Sequence, residues 1–117
     1  MASQNILQIV ASALDDKKAE EIVILNMVGL SSMADQFVIC HGNSDKQVQA
    51  IAKNVKDEVT KNDYEIKRME GYDEARWVLI DCGDIIVHVF HKDERSYYNL
   101  EKLWGDAPTM ELNKILA

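Results

Sequence analysis

The chain has 117 residues, 47% apolar and 28% charged, and its 13 Lys and Arg stand against 20 Asp and Glu for a formal net charge of −7. That length builds one domain with a sizeable core and excludes two ordinary ones. The acidic balance argues against nonspecific nucleic-acid binding, which rests on Lys and Arg contacts to phosphate, and favours a basic protein as partner.

The first expected element is an amphipathic helix over residues 4–16, where Ile6, Ile9, Val10, Ala13 and Leu14 share one helical face and Ser3 stands as N-cap. "EEIVILNMV" follows, and its continuous apolar run from Ile22 to Leu25 has the pattern of a strand buried on both faces. "LSSMAD" connects to a second buried strand, "QFVICHG", which ends at Gly42. In "NSDKQVQAIAKNVKDEVTKND", Ser44 and Gln47 form a capping box, and Val48, Ile51, Ala52, Val55 and Val59 keep helical spacing. "YEIKRME" is a more polar strand suited to a sheet edge. After the turn "GYDEA", the strands "RWVLIDC" and "IIVHVFH" meet across Gly83-Asp84 as a hairpin, with Gly83 serving the turn. "KDERSYYNLEKLW" is helical or turn-like, and "GDAP" stops it. This order gives an α/β fold with packed helices around a five-stranded mixed sheet, in which the strands flanking the long helix are placed to run parallel.

No apolar run approaches the ~20 residues that cross a bilayer. The opening "MASQNILQIV" lacks the charged lead and long apolar stretch of a secretory signal, so the expected location is the cytoplasm, with no membrane partner. The two cysteines, Cys40 and Cys82, sit in apolar runs and read as reduced core thiols. His88 and His91 form H-x-x-H on a strand, where positions three apart point to opposite faces, so they do not share a metal. Asp81 and Asp84, with Gly42-Asn43-Ser44 opening a helix, loosely resemble a nucleotidyltransferase site, but the D-x-D pair that holds Mg²⁺ is missing and the capping box accounts for Ser44. Neither phosphate-loop motif occurs, nor does a G-x-S-x-G elbow. No catalytic, metal or cofactor residues are therefore assigned. What remains is an unusual density of aromatic, Leu and charged residues toward the C-terminus: Trp77, Tyr97, Tyr98, Leu100, Leu103 and Trp104. Such a mixture either closes the core or forms a protein-docking hot spot.

The stretches "ADQFVICHGNSDKQVQAIAKNV" and "EGYDEARWVLIDCGDIIVHVFHKDERSYYNLEKLWGDAP" closely resemble the ribosomal silencing factor family, also called the RsfS or Iojap-like family. The matching pattern takes in Asp35, Gly42, Ser44, Glu70-Gly71, Trp77, Asp81, Gly83-Asp84, His88-Val89, Tyr98 to Leu100 and Leu103-Trp104. This resemblance implies one α/β domain over residues 1–108, nucleotidyltransferase-like in shape without the catalytic acids, and a short tail over 109–117. It further implies a translation repressor that binds the fourteenth protein of the large ribosomal subunit and sterically blocks small-subunit joining during nutrient limitation. In that role Trp77 and Leu79 supply apolar area from the sheet, and Tyr98, Leu100, Leu103 and Trp104 line or support the same patch. Asp81, Asp84 and Glu101 would meet basic side chains. An apolar patch of this kind also allows two free copies to pair. A large-subunit assembly factor would share this surface, and a divergent nucleotidyltransferase would instead bind nucleotide and Mg²⁺.

Overall fold

The elements form close to where the sequence periodicity places them in the computed structural model, which describes residues 6–30 and 34–94 and the backbone of 109–110. In chain order they are α1 (Ile6–Asp16), β1 (Glu20–Asn26), β2 (Gln36–Gly42), α2 (Asp45–Lys61), β3 (Arg68–Glu70), β4 (Trp77–Asp81), β5 (Ile85–His91) and the two-residue β6 (Thr109–Met110). The expected N-cap Ser3, and most of the segment after β5, lie outside the described residues.

The five expected strands make one mixed sheet, and β6 adds a sixth at its edge, in the order β3-β4-β5-β2-β1-β6. At its centre β2 and β5 run parallel, from the pair Gln36–Ile85 to the pair Gly42–His91. All other neighbours are antiparallel. The strands flanking α2 do run in the same direction, but β4 and β5 lie between β2 and β3, which is at the far edge.

Strand alternation sorts the apolar residues onto two faces. Val38 and Cys40 of β2, Val78 and Ile80 of β4, and Val87 and Val89 of β5 pack under the apolar stripes of α1 and α2. Leu25, Phe37, Ile39, Ile86 and Phe90 cluster on the opposite face, joined by Val23, Trp77 and Leu79. The run in β1 is less buried than its composition suggests. Only Ile24 and Leu25, the residues that pair with β6, are fully buried, while Ile22 and Val23 near the bulge at Glu20–Val23 are half-buried.

Candidate protein-docking site on the sheet

Trp77 and Leu79 project from β4 on the face away from both helices, because Val78 and Ile80 take the helix side and are fully buried there. Trp77 and Leu79 thus alternate with Val78 and Ile80 as a strand requires. The face is less open than that alternation alone implies, since Phe37, Ile39, Ile86 and Phe90 on it are buried and Trp77 and Leu79 are half-buried. Glu70, Gly71, Trp77 and Leu79 line a shallow groove of about 250 Å³ at this edge.

The groove depends on Gly71. Its backbone has a φ of +82°, and a Cβ there would collide with the Trp77 carbonyl oxygen, so only glycine lets the chain turn so close to the start of β4.

Register fixes what lies around the indole. Trp77 pairs directly with Phe90 and Leu79 with His88. The Trp77 and Phe90 rings stack with centroids 5.2 Å apart and planes 24° apart. Trp77 Nε1–H donates to His88 Nδ1 at 3.1 Å. The imidazole in turn meets Phe37 edge-on, with centroids 4.9 Å apart. His88 is only 4% exposed, and burial pushes its pKa down from 6.5 to about 4. It is therefore neutral at physiological pH. Because Nδ1 accepts the indole proton, the imidazole proton sits on Nε2, which is buried with no hydrogen-bond partner among the described residues. A buried donor left unpaired costs on the order of 1–3 kcal/mol.

Asp81 shares the face of Trp77 but stands at the other end of β4, about 13 Å along the strand at ~3.3 Å per residue. Its Oδ1 accepts from the Gly83 N–H at 2.9 Å, and its Oδ2 lies 3.9 Å from Arg68 Nε. Gly83 takes a φ of +93°, the turn role expected of it. Asp84 is exposed at the hairpin tip, and its carbonyl accepts from the N–H groups of Asp35 (2.7 Å) and Gln36 (3.2 Å). The structure thus brings Trp77 and Leu79 together and puts Asp81 and Asp84 at the opposite end of the hairpin. Tyr98, Leu100, Glu101, Leu103 and Trp104 lie outside the described residues.

The remaining polar groups are absorbed locally. Ser44 Oγ accepts from the Gln47 N–H at 3.1 Å, Gln47 Oε1 accepts from the Asn43 N–H at 2.7 Å, and Gln47 Nε2 donates to the Lys18 carbonyl at 3.1 Å. The N-terminus of α2 is capped by its own side chains, which also tie it to the loop after α1. His91 points to the helix side, with Nε2 3.6 Å from Asp45 Oδ1 and Nδ1 accepting from the Asp93 N–H at 3.2 Å. Among the described residues no group of three or more His, Cys, Asp or Glu side chains is placed to hold a metal ion. Burial, helped by the Asp81 charge, pushes the Cys82 thiol up to about 12, which makes it a poor nucleophile.

Sequence reasoning missed the parts played by His88 and Gly71. The signal for His88 was present: the hairpin register puts it on the Trp77 side, the one polar residue within Ile85–Phe90.

A family model described as "Ribosomal silencing factor during starvation" matches residues 1–117. The chain is 63% identical over 117 residues to a ribosomal silencing factor RsfS from Halalkalibacterium halodurans, covering all of both chains. It is 65% identical over 113 residues to the protein of the same name from Bacillus subtilis, covering 97% of this chain and 96% of that one. A crystal structure of a Bacillus halodurans protein superposes with a TM-score of 0.82 at 63% identity, over 91% of this chain and 96% of the other. Among the described residues no helix is long and apolar enough to cross a membrane.

Proposed function

Since the chain belongs to the ribosomal silencing factor (RsfS) family, we propose that it represses translation by binding the fourteenth protein of the large ribosomal subunit. It then covers the face on which the small subunit docks, in the cytoplasm and when nutrients are scarce. The observation that carries this reading is the half-buried Trp77–Leu79 pair beside its groove, on the sheet face that neither helix covers. An aromatic anchor next to an aliphatic one, with carboxylates farther along the same hairpin, is the composition of a docking hot spot for a basic protein. The net charge of −7 acts in the same direction by steering the encounter. Tyr98, Leu100, Glu101, Leu103 and Trp104 extend this patch in the proposal. In the free protein the same apolar area supports pairing of two copies, which docking would replace. The role is regulatory, by occlusion, with no catalytic step.

The test is sedimentation of the purified protein with separated ribosomal subunits. Co-migration with the large subunit alone, lost in Trp77→Ala, supports the reading. Migration with the small subunit, or with neither, overturns it.

A further inference from the structure

Two of the contacts that hold the Trp77 indole do different things. Stacking on Phe90 at 5.2 Å sets the plane in which the ring lies. It does not choose which way the N–H edge points, because a stacked ring turned over keeps most of its apolar contact. The hydrogen bond from Nε1 to His88 Nδ1 makes that choice. We propose that His88 is a positioning residue for docking: it locks the indole of Trp77 in one orientation and consumes its N–H, so that the partner meets carbon surface and a pre-set ring.

Three observations carry the proposal. Every residue of Ile85–His91 is buried, so position 88 is a place for an apolar side chain, and an imidazole there needs a reason. The ring uses Nδ1 for the indole while its buried Nε2 has no partner among the described residues, so the bond that its polarity makes there is the one to Trp77. Finally, the ring stack with Phe90 fixes a plane and not a direction within it, and an anchor at the N–H sets that direction before any partner arrives. The inference rests on Trp77 being a docking residue. It adds that the partner side chain at this point is apolar, and that an acceptor offered there finds no free donor.

The experiment compares His88→Asn, whose amide oxygen can stand where Nδ1 stood, with His88→Gln, whose amide falls nearer the Nε2 position; His88→Leu serves as the variant with no acceptor. In the free protein, the Trp77 indole N–H resonance is identified by its loss in Trp77→Phe, and its solvent exchange is followed by NMR. Binding to purified large subunits is measured on the same samples. The proposal expects the shifted, slowly exchanging indole resonance of the wild type to survive in His88→Asn. It expects that resonance to move, and to exchange about tenfold faster, in His88→Gln and His88→Leu, with large-subunit binding weaker by about fivefold, the scale of one lost hydrogen bond. An unmoved resonance in His88→Gln overturns the proposal, as does equal binding by His88→Asn and His88→Gln. If Trp77→Ala itself binds like the wild type, the docking reading fails and takes this inference with it. If Trp77→Ala loses binding while His88→Gln keeps it, only the positioning role fails.

Discussion

His88 makes the stability of the fold depend on pH in one direction. Its pKa is 6.5 in the unfolded chain and about 4 in the folded one, because burial disfavours the charged ring. Above pH 6.5 both states hold the ring neutral, and this group adds no pH dependence. As pH falls below 6.5 the unfolded chain takes up a proton that the folded chain refuses, and stability drops, by roughly 3 kcal/mol at pH 4. Urea midpoints of wild type and His88→Asn at pH 7 and pH 4.5 test this; the wild type should lose markedly more, and equal losses would show that the site is not desolvated. At Trp77 the expected result is mixed. Trp77→Ala removes a half-buried ring stacked on Phe90 and leaves His88 Nδ1 without its donor. Stability should therefore fall by about 1–2 kcal/mol, below the ~3–5 expected for a fully buried Trp, while large-subunit binding should fall by roughly 2 kcal/mol or more. Denaturation and pull-down on the one mutant separate the two quantities, and a loss of stability alone would make Trp77 a core residue. Alternation made the side on which Trp77 lies readable in advance. It could not reveal the ring stack or the indole bond, because a strand period gives a face and not the distance between two side chains on it.

Among the elements, the short β3–β4 connection is where the site is most easily damaged. Gly71→Ala places a Cβ against the Trp77 carbonyl and forces a positive φ on an alanine. The start of β4 has to shift, so the substitution should cost on the order of 1–3 kcal/mol and disturb the groove beside Trp77. Thermal unfolding and Trp77 fluorescence measure both effects; an unchanged melting temperature would mean that the loop relaxes freely. The bounds of β2, α2 and the β4–β5 hairpin were legible because each has a local cause: an apolar run closed by Gly42, the Ser44–Gln47 cap, and the Gly83 turn. The seating of β5 against β2 was not legible. Those strands are joined by no short connection, and their register follows from packing of the whole sheet. The depth of β1 was overstated for a related reason, since burial of its first half depends on a neighbour that the two-residue β6 does not supply.

For the molecule as a whole, occlusion and charge make separate predictions. Added in excess to free large subunits, the protein should reduce formation of joined ribosomes, and it should do little to ribosomes already joined, whose docking face is covered. Sucrose gradients run in both orders of addition check this, and equal disruption of joined ribosomes would point to an active mechanism. The net charge of −7 should make the association rate with the large subunit fall as salt is raised from 50 to 300 mM, on a Debye length of ~10 Å at 0.1 M, with a smaller effect on dissociation. Stopped-flow measurement across that range decides the point. The central parallel seam bears on how the chain is made. It joins residues 36–42 to residues 85–91, so one edge of β2 stays unpaired until β5 has been synthesised. During translation the apolar ladder of Phe37 and Ile39 therefore waits with one open edge while α2, β3 and β4 emerge. The nascent chain closes late and through distant contacts, which favours slow folding and a need for shelter from other unfinished chains at just that stage.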